Sequence, residues 1–152
     1  MRYLIFCMFA CAISGLVSCT LKPESPQGFS LPDGNSEGGK LVLLKYKCLS
    51  CHIIDGLEPP VDLIDLSEFS VRLGEKSHKV KTYADLLTSI INPSHKFAAG
   101  YKLNTIQSDG VSKMPIYNDV MTVTELVNLV TFLQSNYVLI PYKKTDYQQY
   151  EF

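Results

Sequence analysis

The feature that most constrains this chain is the pentapeptide at residues 48–52, Cys-Leu-Ser-Cys-His. Two thiols three positions apart lie on one helical turn, and the imidazole of His52 follows directly. This spacing fits a porphyrin, because both sulfurs can form thioether bonds to neighbouring vinyl groups while the next ring points at the iron. The motif therefore predicts one haem c, attached through Cys48 and Cys51 and ligated by His52.

Two other uses of this motif stay open from the residues alone. A thioredoxin-type dithiol would follow a strand within a βαβ pattern, and a structural zinc site would need a second cysteine or histidine pair. The other cysteines of the sequence all lie at or before position 19, where they offer no such pair. We therefore favour haem attachment, with a redox dithiol as the main rival.

Length and composition limit the chain to one small globular domain with a short appendage. The 152 residues are 46% hydrophobic and 19% charged, which excludes collagen-like, disordered and multi-span membrane classes. The formal net charge is −1. A nucleic-acid binder needs an excess of basic side chains to neutralise phosphates, so we expect no nucleic-acid partner.

The first residues indicate export and lipid anchoring. Arg2 precedes an apolar run over residues 3–17, which as a helix would span about 22 Å and is too short for a bilayer core of roughly 30 Å. Residues 16–19, Leu-Val-Ser-Cys, then resemble a bacterial lipobox; an ordinary signal peptide with an incidental Cys19 is the alternative. The resemblance implies a cleaved lipoprotein signal peptide over residues 1–18 and a lipid anchor on Cys19.

From about residue 38 to residue 134 the chain resembles a class I cytochrome c. Besides the haem motif, the resemblance rests on Ser-Ile-Ile-Asn-Pro-Ser at residues 89–94, on Gly100-Tyr101 and on Met114-Pro115. Similar segments occur in the cytochrome c domains attached to subunit II of some haem–copper oxidases. The resemblance implies an all-α fold, with three to five helices around one covalently bound haem.

These observations divide the chain into four parts. A signal peptide (1–18) is followed by a lipid anchor and a tether rich in Pro, Gly and Ser (19–37), by the cytochrome c domain (38–136) and by a Tyr-rich C-terminal extension (137–152). Thr20, in place of Asp after the cysteine, resembles lipoproteins sorted to the bacterial outer membrane. We therefore expect the protein on the periplasmic side, on the outer rather than the inner membrane.

Local signals predict three helices. Capping boxes begin two of them at Thr82 and Thr122, and the first of these must end near Asn92 because Pro93 follows. An earlier helix is predicted over residues 40–51. The last helix is predicted to place five apolar residues on one face: Val123, Leu126, Val127, Val130 and Leu133.

The iron needs a second axial ligand, and four residues could supply it: Met114, Met121, His78 and His95. Met114 lies in a loop and its Met-Pro sequence matches the ligand motif of the family. Met121 is explained by a hydrophobic staple with Leu126, His78 by a polar, lysine-rich stretch and His95 by capping carbonyls at a helix end. We therefore predict Met114 as the sixth ligand.

The surroundings of the haem are less well specified. A ligating imidazole donates its other N–H to a carbonyl, and in the family a proline supplies it, which here would be Pro59 or Pro60. The family's helix-crossing glycine corresponds to Lys40, because Gly38 and Gly39 are shifted, so the pattern does not predict a close crossing of the first and last helices. Further side chains could pack on the haem or meet its propionates: Arg72, Tyr83, Tyr101 and Tyr117.

With both axial positions filled by protein, no substrate site is left, and we predict a membrane-anchored electron carrier that is not an enzyme. An acidic stretch over residues 53–75 and a basic one over 76–113 would orient docking on redox donors and acceptors of a respiratory or dehydrogenase system. Two alternatives stay open. One is a haem sensor or small haem enzyme with an open sixth position, and the other is an electron-accepting subunit of a larger dehydrogenase complex.

Overall fold

The computed structural model describes residues 30–60, 69–77 and 80–141. Within these ranges the helices are α1 Ser36–Lys45, α2 Tyr83–Ile91, α3 Leu103–Ile106 and α4 Val123–Ser135, with a 3-10 turn at Cys48–Ser50. The strands are β1 His52–Ile54, β2 Val71–Leu73, β3 Lys76–Ser77, β4 Gln107–Ser108, β5 Val111–Ser112 and β6 Val138–Leu139. Helix makes up 38% and strand 15%, so these residues combine helices with very short strands, and the all-α fold stays a prediction.

The short strands pair two by two. Strands β1 and β2 are parallel, as are β3 and β6, whereas β4 and β5 form an antiparallel hairpin. The hairpin turns at Asp109 and Gly110, whose φ angles are 51° and 79°. Two successive residues with positive φ make a type I′ turn, whose twist matches that of the strands it joins. The β1–β2 pair sets Val71 directly opposite His52.

The bounds predicted for the first helix were wrong. Asn35 caps α1, because its side chain accepts a hydrogen bond of 2.6 Å from the backbone N–H of Gly38, and the helix therefore begins at Ser36. It ends at Lys45, since Lys47 adopts a left-handed conformation with φ 54° that an α-helix does not accommodate. The haem motif thus begins on a separate 3-10 turn, not on the helix itself.

Helix α1 crosses α4 closely at Gly39. A Cβ at this position would lie 2.0 Å from the backbone oxygen of Asn128 and 2.6 Å from the Cβ of Phe132, so only glycine permits the contact. The crossing was not predicted, because Gly39 lies nine residues before Cys48 and not eight. Around it the two helices bury a set of aliphatic side chains: Val42, Leu43, Val127, Leu129, Val130 and Leu133.

The two predicted capping boxes are confirmed. The hydroxyl of Thr82 accepts from the backbone N–H of Asp85, and that of Thr122 accepts from the backbone N–H of Glu125, with the carboxylates accepting in return. Helix α2 ends at Ile91, one residue before the predicted end. Capping is decided by residues three positions apart, which is why the sequence alone located both helix starts.

The predicted apolar face of α4 was partly wrong. Val127, Val130 and Leu133 are buried as expected, but Val123 is 75% exposed and Leu129 is buried instead. Helix α4 packs on α2 as well as on α1, so its buried face is wider than one helix partner would require. Val123, as the first residue of the helix, lies at the rim of this packing.

Several predictions concern residues outside the described ranges. They are the signal peptide at 1–18, the lipid anchor at Cys19, His78 and most of the C-terminal extension. The compact unit that contains the haem motif begins at Pro32, and the first residues of the extension form β6, which pairs with β3 inside it. Among the helices of the described residues, none combines the length and the apolar character that crossing a membrane requires.

Candidate functional site

The two cysteines of the motif lie on the 3-10 turn that follows α1. Between them Leu49 is 5% exposed and anchors the turn in the core, while both thiols are half-buried and free of disulfide bonding. The backbone N–H of Cys51 donates to the carbonyl of Cys48 over 3.2 Å, which closes the turn. The turn therefore holds two free thiols on a fixed backbone, as attachment at two points requires.

The surroundings of Cys48 keep its thiol protonated. Burial raises the pKa of Cys48 to about 11, and the neighbouring Cys51 thiol contributes a smaller upward shift. A dithiol oxidoreductase requires the opposite, because its attacking cysteine needs a lowered pKa to be a thiolate. A thioether carries no charge and is not penalised by burial. The environment of Cys48 thus differs from that of an attacking redox cysteine.

The ring of His52 is oriented by a backbone carbonyl. Its Nδ1 lies 3.1 Å from the carbonyl oxygen of Val71. Since a carbonyl can only accept, Nδ1 must carry the proton, and Nε2 is left with a lone pair. Burial lowers the pKa of His52, which keeps the imidazole neutral. A neutral imidazole with Nδ1 satisfied and Nε2 unprotonated is in the state that iron ligation requires.

The carbonyl partner of His52 corrects the sequence prediction. Val71 supplies it, and not Pro59 or Pro60, because the parallel pairing of β1 with β2 places Val71 beside the ring. The same strand residue also donates its backbone N–H to the carbonyl of Cys51 over 2.8 Å. Val71 therefore holds the end of the haem motif by two hydrogen bonds from a distant part of the chain.

Met114 lies half-buried in the segment 113–121, which connects β5 to α4. The segment starts from a fixed point, because the backbone N–H of Met114 donates to the hydroxyl of Ser112 (3.1 Å) and the N–H of Ser112 donates to that of Ser94 (3.0 Å). Further along, the side-chain amide of Asn118 donates to the carbonyl of Ile91 over 2.9 Å. Met114 is thus carried by a loop whose backbone is tied to the end of α2.

The competing sixth ligands have other surroundings. Met121 and Leu126 line the same apolar cleft of about 230 Å³, which fits their predicted staple at the start of α4. His95 is exposed, and its Nδ1 lies 2.7 Å from the carbonyl oxygen of Asn92, as expected for a histidine at a helix end. These arrangements explain Met121 and His95 without iron, and His78 lies outside the described residues.

Two tyrosines connect the haem motif to the Met114 segment. The hydroxyl of Tyr46 donates to the carbonyl of Val120 over 2.9 Å, and that of Tyr117 donates to the carbonyl of Tyr46 over 3.3 Å. Their rings pack edge to face with centroids 5.3 Å apart. Burial raises the pKa of Tyr117, and negative charge on Cys48 or Cys51 would raise it further.

Glu125, in the first turn of α4, connects the Tyr46–Tyr117 contact to the end of α1. Its carboxylate accepts from the backbone N–H of Thr122 (2.9 Å), lies 3.0 Å from the hydroxyl of Tyr46 and forms an ion pair with Lys45. The hydrogen bond from Lys45, followed by the Thr122 cap, lowers the pKa of Glu125 to about 2. The same bond raises the pKa of Lys45. The sequence indicated Glu125 only as part of the capping box that begins at Thr122, and Tyr46 only as a residue of the predicted first helix.

The remaining candidate residues surround β2. Tyr101 accepts a hydrogen bond of 3.0 Å from the backbone N–H of Arg72, so its phenol lies beside the strand that pairs with the His52 strand. The guanidinium of Arg72 forms an exposed ion pair with Asp55. Tyr83 is half-buried as the first residue of α2. Of this set, Arg72 lies on the strand that pairs with the His52 strand, and Tyr101 contacts that strand through its hydroxyl.

In the part of the chain that the structure describes, no three His, Cys, Asp or Glu side chains come close enough to bind a metal ion together. The structure brings Cys48, Cys51 and His52 onto one short segment and ties the Met114 loop to it through Tyr46 and Tyr117. Comparisons with protein-family models, with curated proteins and with solved structures give no match to this chain.

Proposed function

We propose that this protein is a membrane-anchored c-type cytochrome that carries single electrons between respiratory or dehydrogenase partners. The observation that supports it most is the state of His52. A ring directly after a Cys-x-x-Cys pair has Nδ1 bound to the Val71 carbonyl and Nε2 carrying a lone pair. Neither a redox dithiol nor a core histidine requires this orientation beside two free thiols.

The side chains of this chain fit haem c. Cys48 and Cys51 would hold it as thioethers, His52 would ligate the iron through Nε2, and the thioether of Met114 would be the sixth ligand. When bound, this group supplies an iron that gains or loses one electron. A thioether as the sixth ligand favours the ferrous state more than a second imidazole or a thiolate would, so we expect a high reduction potential.

Attachment to a membrane is the second part of the proposal. Lipidation of Cys19 would keep the domain at the periplasmic face of a bacterial membrane, and more than one acyl chain makes such an anchor stable. The tether that follows would give the domain reach to meet its partners.

Partner docking is expected to depend on salt. Five side chains that bear positive charge in the basic stretch are among the described residues: Lys76, Lys81, Lys96, Lys102 and Lys113. Exposed acids, Asp55, Glu58 and Glu75, precede them in the chain. A surface with separated charges orients a transient complex by long-range attraction, which is weakened at high ionic strength. We therefore expect electron transfer to a redox protein to slow as salt rises.

The test is the absorption spectrum of the full protein matured with haem in a periplasm. We expect ferrous bands of a covalently attached haem and a far-red ferric band from the thioether–iron bond, and we expect Met114→Ala to lose the far-red band while Met121→Ala keeps it. Loss of the band in Met121→Ala only would move the ligand to Met121. A wild type without the band that binds CO readily when reduced would overturn the electron carrier in favour of the sensor or small enzyme.

The subunit alternative is tested by assembly. An electron carrier should purify as a single chain that is reduced reversibly, and removal of residues 142–152 should leave its spectrum unchanged. Co-purification of a dehydrogenase with the intact chain, but not with the shortened one, would favour the larger complex.

A further inference from the structure

The contact between Tyr46 and the Met114 segment is reciprocal. The side chain of Tyr46 donates to the backbone at Val120, and the side chain of Tyr117 donates to the backbone of Tyr46. The two hydrogen bonds thus run in opposite directions between segments 71 to 74 residues apart in the chain. Such a pair fixes both the separation and the relative orientation of the two segments, which a single bond does not.

The two segments are those that bear the proposed axial ligands. Tyr46 lies two residues before Cys48 and six before His52, and Tyr117 lies three residues after Met114. The rings also pack edge to face, an arrangement that aromatic pairs favour energetically. Displacing Tyr117 from Tyr46 would therefore move the Met114 backbone away from the haem motif.

The Met114 segment has little burial to hold it in place. Pro115, Ile116 and Val120 are all exposed, and Met114 and Tyr117 are only half-buried. In a loop with so little apolar contact, individual hydrogen bonds decide which conformation is populated. The hydrogen bonds of Tyr46 and Tyr117 therefore contribute more to the conformation of this loop than the same bonds would contribute in a well-packed helix.

We propose that Tyr46 and Tyr117 are positioning residues, which hold the Met114 segment against the haem motif and so set how firmly the methionine keeps the sixth position. This inference rests on the proposed function, because it concerns the Met114 ligand. It predicts that removing either hydroxyl weakens the Met114–iron ligation while the helices stay folded.

The test compares ligand loss with unfolding in the haem-loaded, full-length protein. Tyr46→Phe, Tyr117→Phe and the double variant keep both rings and remove only the hydroxyls. The far-red ferric band reports the methionine ligand, and the helical circular dichroism signal reports the fold. Both are followed through a urea titration, and the rate of CO binding to the ferrous form reports how often the sixth position opens.

Asn128→Ala is the matched control. The side-chain carbonyl of Asn128 accepts a hydrogen bond of 2.8 Å from the backbone N–H of Asn35, which is likewise a long-range bond between α4 and the region of α1. Neither Asn35 nor Asn128 belongs to the Met114 segment or to the haem motif. This variant should move the loss of the far-red band and the loss of helical signal together, as a merely structural contact would.

For each tyrosine variant we expect CO binding to be faster by about five-fold, the effect of one hydrogen bond worth about 1 kcal/mol. Tyr117→Phe is the decisive single variant, because Tyr46→Phe also removes the contact of its hydroxyl with the Glu125 carboxylate. The far-red band should vanish at a lower urea concentration than the helical signal, with a larger gap in the double variant. If both signals move together as in Asn128→Ala, or neither moves, the positioning role is wrong. If the wild type lacks the far-red band altogether, the Met114 ligand of the proposed function fails first, and this inference falls with it.

Discussion

The crossing of α1 and α4 and the loop that carries Met114 are stabilised by different means. The crossing buries aliphatic side chains around Gly39, where backbone meets backbone with no room for a Cβ. The loop exposes Ile116 and Val120 and is fixed by single hydrogen bonds: the hydroxyl of Ser112 accepts one, and the side chains of Asn118 and Tyr117 donate one each. Burial resists change until the whole domain unfolds, whereas separate hydrogen bonds can be lost one at a time.

This contrast makes a general prediction about variants of the haem-loaded protein. A change at the crossing should shift global unfolding and the loss of the methionine ligand together. A change in the loop should shift ligand loss alone. The four variants below test the contrast in order of decreasing effect.

The largest effect is expected for Leu43→Ala. Leu43 is fully buried (0% exposed) on α1, and removing its side chain leaves a cavity, so we expect a loss of about 3 kcal/mol in the free energy of unfolding. Leu41, on the same helix, is 67% exposed, and Leu41→Ala should change stability by less than about 0.5 kcal/mol. Urea unfolding of both variants, followed by circular dichroism, makes the comparison. Equal effects would show that this part of α1 is not packed as described.

Gly39→Ala should follow with about 2 kcal/mol. The new methyl group would overlap the backbone of Asn128, which can move only if the two helices separate. Gly38→Ala is the control, because its Cβ would lie 3.1 Å from the side-chain amide of Asn128, a contact that a small shift of the side chain relieves without moving the backbone. We expect thermal unfolding to show a clear loss in the first variant and little change in the second. A neutral Gly39→Ala would contradict the close crossing.

Asn118→Ala should weaken the proposed Met114–iron ligation by about 1 kcal/mol and leave the free energy of unfolding unchanged. Its amide donates to the carbonyl of Ile91 at the end of α2, and without that bond the loop is freer to move. The far-red ferric band should therefore disappear at lower urea while the helical signal is unchanged. Asn104, which is exposed on α3, provides the control variant Asn104→Ala. A parallel shift of both signals would show that the Met114 loop does not open separately from the unfolding of the α1–α4 crossing.

The smallest effect is expected in the pH dependence of stability at Glu125, which contacts Lys45 and Tyr46 at the end of α1. The pKa of Glu125 is lowered from 4.5 to about 2, mainly by the hydrogen bond from Lys45. The stabilisation that this carboxylate provides is complete above pH 4.5, and it is lost as the pH falls from there toward 2. The pKa of Lys45 is raised above 10.5, so its share is complete below that value and is lost as the pH rises further.

Glu125→Gln should reduce the acid-dependent part of the loss in stability, as measured by thermal unfolding between pH 5 and pH 2. Glu37→Gln is the control, since Glu37 lies in the first turn of α1 and is exposed. An unchanged pH profile in Glu125→Gln would mean that the carboxylate does not respond to Lys45 in solution.

Local sequence signals predicted the parts of this structure that depend on neighbouring residues. The caps at Thr82 and Thr122 are decided within one helical turn, and the structure confirms both. Haem attachment, which was inferred from five neighbouring residues, stays a prediction. The carbonyl that orients His52 was assigned to a proline close by, but it comes from Val71 through a strand pairing 19 residues away. No local pattern encodes that pairing, because β1 is only three residues long.

The contact of Tyr46 with Tyr117 was missed for the same reason. Each tyrosine, taken alone, fits an ordinary half-buried aromatic position, and only the crossing of α1 and α4 brings them together. The start of α1 was misjudged because Asn35 is a cap without a capping box. These errors have one cause. Contacts between distant segments depend on tertiary packing, and local patterns in a single sequence carry no information about it.

The type I′ turn at Asp109 and Gly110 has a consequence for how the chain can change length. The turn fixes the register of β4 against β5, and Ser112, four residues after Ser108, owes its orientation to that register. A single residue inserted in the turn would slip the strand by one position and send the hydroxyl of Ser112 to the opposite face of the ribbon. Both the Ser94 bond and the Met114 bond would then be lost. The hairpin therefore fixes the position at which the Met114 loop begins. The exposed positions of that loop can vary in sequence, whereas an insertion in the hairpin turn would displace the start of the loop.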